Sequence, residues 1–326
     1  MINFGMVIFS NKEDIKKRGI LFNLIIKISI CNKKKIYKYI EIETQHLYGN
    51  LKISIIKLPF SIEDYFNFKD SKNRKIIWEL TKIMKREGLV SCLFPLKFLA
   101  QNQFRSFDGS FYDKRDLFKL LAINECEIII KKYIKEIAKP HILIIYENNA
   151  HELDGALNVA LKYTNYIYVY APEIKMVEDV VGVFRTETGA GVVVTTDLTN
   201  TIRIANVIFN YADSEKIFNN IQLKDKSIIF NFGEGFCNKI NSDSNIIIND
   251  IDILNEKILD KIPVAIWEWF SKREFMNTVF AHLSMNYPKA HREYPNYQTL
   301  KVFNKIFTES GFKISGYYGR NNFTNL

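Results

Sequence analysis

Apolar runs separated by polar breaks fill the first sixty positions: INFGMVIF, LFNLIIKISI, IYKYIEIE and LKISIIKLPF. Their Ile, Phe and Tyr content, with Asn/Lys and Tyr-Gly-Asn breaks between them, predicts the strands of a meander. From Ser71 the period changes. Ile76, Ile77, Leu80, Ile83 and Met84 fall on one face of SKNRKIIWELTKIMKREG, which predicts a helix stopped by Gly88. A second helix is expected over Lys114 to Ala138, and Pro140 separates it from the next strand.

From His141 the chain alternates. HILIIYE, YIYVYA, GVVVTTD, NVIFNYA, SIIFNFG and NIIIND read as strands, and HELDGALNVALKYT and PEIKMVEDVVGVFRTET as helices between them. Continuous apolar runs without polar alternation are what strands buried on both faces look like, so a parallel sheet covered on two sides is expected. After Asp252 an amphipathic pattern runs from Asn255 to about Leu283, with Pro263 as a kink or a true start. One more helix and a final strand complete the chain. The expected fold class is α/β: an N-terminal mixed α+β domain at 1–139, a doubly wound parallel-sheet domain at 140–254, and a C-terminal helical extension at 255–326 packing back on the first domain.

Length and composition narrow this picture. A chain of 326 residues has room for two domains, and 47% apolar with 25% charged residues is a globular composition. The greasiest segment, Gly19 to Cys31, is interrupted by Lys27 and falls short of the roughly 20 residues a membrane span needs, so no span is expected. The N-terminus places its apolar run before its charges, the reverse of a secretory leader, and the expected compartment is the cytoplasm. Cys31, Cys92, Cys126 and Cys237 share no short spacing, so neither a disulfide framework nor a zinc site is expected.

The net charge of +9 is unevenly spread. Residues 1–139 carry 27 Lys and Arg against 15 Asp and Glu, residues 140–254 carry 8 against 15, and residues 255–326 carry 10 against 6. The basic excess thus belongs to the ends and the middle is acidic. Many lysines sit beside Ile and Asn, as a biased genome composition would also produce, so nucleic acid is not an expected partner.

The stretch PHILIIYENNAHELDGALNVALKYTNYIYVYAPE, Pro140 to Glu173, resembles the opening unit of a Rossmann-like NAD(P)-binding domain, and the similarity extends over roughly Lys139 to Asp252. It implies a ligand beyond the carboxyl ends of the strands and NAD or NADP as the cofactor. The glycine-rich phosphate turn of such domains is missing: ENNAHELDGAL has one glycine, Gly155, inside the predicted helix. TGAG, Thr188 to Gly191, precedes a strand and reads as a helix cap. FGEG, Phe232 to Gly235, reads as a tight turn at the sheet edge. The domain order also resembles that of the shikimate dehydrogenase type of oxidoreductase, on FPLK, Phe94 to Lys97, and FDGSF, Phe107 to Phe111, although the family's flanking residues are absent.

The polar strand ends supply the candidate cofactor-binding residues: Asn148, Asn149, Glu173, Thr195, Thr196, Asn210, Tyr211, Asn231 and Gly233. Glu173 lies where related domains place an acid on the ribose hydroxyls, and equally where a first-turn helix acid is favoured by the dipole. Asn148 and Asn149 serve as turn residues or as ordinary helix caps. The candidate catalytic residues are Lys97, Asp108 and His151, the nominees for a proton relay. His282 and His291 have no carboxylate at ligand spacing, and no metal is expected.

Two functions are open on these residues. One is an NAD(P)-dependent oxidoreductase with a small anionic substrate in the cleft between domains. The other is a non-catalytic binding or scaffold protein with a degenerate nucleotide site, acting through a protein partner or a second copy.

Overall fold

The structure is a computed structural model that describes residues 2–19, 36–89, 91–95, 98, 114–133, 137, 139–147, 150–218, 221–233, 244–284 and 296–319. The chain forms two compact units, Met1–Phe111 with Glu256–Leu283, and Tyr112–Asn255 with Ser284–Leu326. Residues 112–139, expected in the first domain, are part of the second unit, and only Glu256–Leu283 of the expected extension is part of the first.

The first unit is built on four strands: β1 (Ile2–Phe9), β2 (Glu41–Tyr48), β3 (Leu51–Leu58) and β4 (Cys92–Leu93), in the order β2-β3-β1-β4. A meander would make neighbours antiparallel, but only the β2–β3 hairpin is; β1 runs parallel to both β3 and β4. The reason is burial. Phe4, Met6, Val7, Ile8 and Phe9 are all buried, so β1 needs cover on both faces and takes the sheet interior. The run LFNLIIKISI lies outside the described residues.

Helices α1 (Lys12–Lys17) and α2 (Ile62–Phe66) open with reciprocal capping boxes, Asn11 with Asp14 and Ser61 with Asp64. Helix α3 (Asp70–Arg86) buries Ile76, Leu80 and Ile83 in one cluster with Val7, Phe9, Ile56 and Leu58. On the other face Phe4 meets Phe275 at 6.3 Å between ring centroids.

The second unit opens with two helices where one was expected, α4 (Lys114–Leu120) and α5 (Ala122–Tyr133). Its sheet holds β5 (Ile142–Ile145), β6 (Ile167–Tyr170), β7 (Val192–Thr195), β8 (Val207–Asn210), β9 (Ile228–Asn231) and β10 (Ile246–Ile248), in the order β10-β9-β8-β5-β6-β7. Every neighbouring pair is parallel. Helices α6 (Ala150–Leu161) and α7 (Lys175–Thr188) connect β5 to β6 and β6 to β7, and the short α8 (Leu198–Ile202) leads to β8. Gly189 ends α7 with φ +68°, the left-handed cap read from TGAG.

One sheet face packs Leu143, Ile145, Ile208, Ile229 and Ile247 against Leu198, Ile202 and Phe218. A separate antiparallel ribbon pairs β11 (Asp250–Leu254) with β12 (Lys313–Tyr318). The long amphipathic stretch is not one helix. It divides into α9 (Glu256–Leu259), a 3-10 turn at Val264–Glu268 that begins after Pro263, and α10 (Lys272–Leu283). Proline has no N–H to give a preceding turn, which accounts for the first break. The final helix, α11 (Tyr297–Glu309), starts on an Asn296 cap.

Among the described residues no helix is long and apolar enough to cross a membrane, and no group of His, Cys, Asp and Glu could hold a metal ion. Cys92 and Cys126 are buried thiols.

Candidate functional site

Numbered within its sheet, the strand order is that of the doubly wound fold, with the direction of winding reversing between β5 and β8. The carboxyl ends there are held level by backbone bonds: Tyr146 N–H donates to the Tyr170 carbonyl at 2.9 Å and Tyr211 N–H to that of Ile145 at 2.9 Å. Such a switch point is where open α/β sheets place ligands.

Glu147, the second residue beyond β5, crosses this point. One oxygen of its carboxylate accepts from the backbone N–H of Asp213 at 3.0 Å and of Ser214 at 2.9 Å. Two successive amides aimed at one oxygen make an anion nest, and here the anion is the chain's own.

A second acid lies one turn on. Glu152, in the first turn of α6, is 6% exposed and pairs with Lys119 of α4 at 2.8 Å. Burial pushes its carboxyl above the ordinary range, the Lys119 ammonium pulls the other way, and Asp213 adds to the rise. Tyr146, 1% exposed, has a hydroxyl with no hydrogen-bond partner among the described residues. Burial and the Glu152 charge both push that hydroxyl's pKa upward.

On the β8 side the polar strand ends turn inward. Asn210 Nδ2 donates to Asn231 Oδ1 at 2.7 Å, Asn231 Nδ2 donates to Asn249 Oδ1 at 2.9 Å, and Asn210 Oδ1 accepts from the Ala212 N–H at 3.1 Å. Asn210 and Asn231 are register partners at the ends of β8 and β9, and Asn249, the residue after β10, extends the ladder. Tyr211 stacks on Phe232 with ring centroids 4.9 Å apart. Gly233 lies so close to the backbone of Ala212 that a Cβ there would stand 2.1 Å from the Ala212 oxygen.

On the β6 and β7 side Glu173 and Thr196 are exposed, and the Glu173 carbonyl accepts from Met176 N–H at the start of α7. Thr195 Oγ1 accepts from Asp197 N–H at 2.9 Å. Hydrogen bonds from Asn200 hold the Asp197 carboxyl below its usual range.

The structure therefore brings Asn210, Asn231 and Gly233 together in one bonded, buried group, and sets Glu173, Thr195 and Thr196 beyond the other half of the sheet. Lys97, Asp108, Asn148 and Asn149 lie outside the described residues. His151 falls in the first turn of α6, with its side chain outside what is described. The bridging role of Glu147 and the third rung, Asn249, were missed. For Asn249 the signal was present: VIFN, IIFN and IIIN end three strands alike. The Lys119–Glu152 pair joins residues 33 apart and has no local signature.

In the first unit a second polar group is buried. His282 Nε2 and Ser91 Oγ are 2.5 Å apart, His282 Nδ1 and the Thr278 carbonyl oxygen 2.7 Å, and the imidazole stacks on Phe4 at 4.7 Å. With the Nδ1 proton on the carbonyl, Nε2 accepts from the serine. That is the hydrogen-bond order of a nucleophile and its base, yet the two side chains belong to residues 0% and 5% exposed, which makes them a core pair.

No family model matches the chain, and no curated protein matches it. The class rests on the coordinates: a six-stranded parallel sheet with alternating helices, compatible with a Rossmann-like fold.

Proposed function

We propose that this chain is a non-catalytic binding or scaffold protein in which a Rossmann-like unit has given up its dinucleotide crevice. The observation that carries the reading is the Glu147 carboxylate on the amides of Asp213 and Ser214. A pyrophosphate is held by free N–H groups and a favourable helix dipole. Beyond β8 the amides of Asp213 and Ser214 are already engaged by Glu147, the turn after β5 from Tyr146 to Asp154 contains no glycine, and Glu147 and Asp213 add like charge. Two unit charges about 4 Å apart repel by roughly 4 kcal/mol at the effective dielectric of a protein surface. NAD and NADP fit poorly against such a set.

A second reading, an NAD(P)-dependent oxidoreductase acting on a small anionic substrate, is favoured by the strand order and by Glu173, exposed beyond β6 where an acid can meet ribose hydroxyls. Lys97, Asp108 and His151 would then serve as the proton relay.

Thermal unfolding with NAD+, NADH, NADP+ and NADPH separates the two. A binder gains about 2.7 kcal/mol at a hundredfold excess over Kd. The proposal expects no shift with any of the four at millimolar concentration. A saturable shift that Glu173→Ala weakens would establish the oxidoreductase reading instead.

A further inference from the structure

Resting on the reading of this chain as a binding protein, we propose that the solvent face of α3 is its docking surface and that the partner is an acidic polypeptide segment. Helix α3 buries Asn73, Ile76, Leu80 and Ile83. At 3.6 residues per turn, Ser71, Arg74, Lys75, Trp78, Lys82, Lys85 and Arg86 share an arc of about 120° on the opposite side. That arc holds Arg74, Lys75, Lys82, Lys85 and Arg86 with one serine and one tryptophan; Lys82 pairs with Glu79 at 3.7 Å and Arg86 with Glu87 at 2.9 Å along its edge.

Trp78 is the centre of this arc. It is 55% exposed, and Lys82 Nζ stands 3.1 Å from its ring centroid. A large aromatic held in a set geometry among cations is the kind of side chain that dominates binding energy at interfaces.

Three occupants compete for such a stripe. A bilayer is disfavoured because an interfacial helix sinks its apolar face into lipid, and the apolar face of α3 is in the core. Single-stranded nucleic acid is bound by grooves lined with several stacking aromatics, whereas α3 offers a convex ridge with one ring whose face Lys82 covers. Carboxylates spaced along a polypeptide match cations spaced along a helix, and the surface is chosen on that complementarity.

The test is fluorescence anisotropy on the full chain with three probes: a labelled 16-residue peptide alternating Glu and Leu, an oligothymidylate of equal charge, and vesicles of phosphatidylserine and phosphatidylcholine. The peptide is expected to bind at low salt and to weaken steeply as NaCl rises. Trp78→Ala and Arg74→Glu are each expected to weaken it at least tenfold with an unchanged melting profile, and both other probes to bind at least tenfold less well. An oligothymidylate or vesicle affinity equal to the peptide's, wild-type affinity in both variants, or no peptide binding would overturn the proposal. A dinucleotide shift alongside intact peptide binding would remove the non-catalytic reading and leave this surface standing.

Discussion

The Glu147 carboxylate lies 2.9 Å from the backbone nitrogen of Ser214, joining the end of β5 to the segment that leaves β8. In a doubly wound sheet that gap is the ligand's place, and the Glu147 side chain bridges it. The same tendency runs through the β8 half, where Asn210 and Asn231 bond each other.

The Asn ladder is expected to matter for stability. Replacing Asn231 by Leu removes the 2.7 Å partner of Asn210 Nδ2 and the donor to Asn249. The two side-chain hydrogen bonds lost are together worth about 1–3 kcal/mol. Urea unfolding of Asn231→Leu should show a loss in that range; a variant as stable as the wild type would mean that the ladder contributes nothing.

Gly233→Ala should be more damaging than its size suggests. The new Cβ would stand 2.1 Å from the Ala212 oxygen, and the obstacle is backbone. Forcing a methyl into packed structure costs roughly 3 kcal/mol. A Tm close to that of the wild type would show that the β8 and β9 ends can part, and would reopen Gly233 as a ligand contact.

Tyr146→Phe is expected to stabilise the chain slightly, by about 1 kcal/mol, because the deleted hydroxyl is buried without a hydrogen bond among the described residues. Destabilisation on chemical unfolding would instead reveal a partner for that hydroxyl.

The Lys119–Glu152 pair predicts both a loss and a pH signature. Lys119→Met leaves a buried carboxylate without its cation and should cost about 3 kcal/mol near neutral pH. Glu152 has a raised folded-state pKa, mainly from burial, so folding favours its protonated form. Its stabilising contribution is whole below the ordinary value of 4.5 and is lost as pH rises through the folded value. Unfolding free energies of Glu152→Gln should lack this decline, so the wild-type curve falls relative to the variant as pH rises above 4.5; parallel curves would contradict the assignment.

Much of the second unit was legible because its strands carry unbroken apolar runs; β5, β8 and β9 are buried throughout as that pattern predicts, whereas the edge strand β7 carries the same kind of run and exposes Val193. The first unit was less so. Parallel pairing of β1 with β3 depends on which strand takes the sheet interior, a question settled by packing partners such as Ile76, Leu80 and Phe275 that lie far along the chain. The site was hardest. Polar strand ends look alike whether they face a ligand or one another, and only coordinates show Asn210 spending its amide on Asn231 and Ala212. The bridging role of Glu147 was not legible, because nothing local to it indicates amides 66 and 67 residues away.

The most direct measurement of the central claim is amide hydrogen exchange at Asp213 and Ser214 in the wild type and in Glu147→Ala. Hydrogen bonds to a charged group are worth about 1.5–3 kcal/mol, so protection at these two amides should fall by roughly tenfold or more while that of Phe209 within β8 is retained. Unchanged protection at Asp213 and Ser214 would mean that Glu147 does not occupy the crevice, and that the amides are free for a ligand after all.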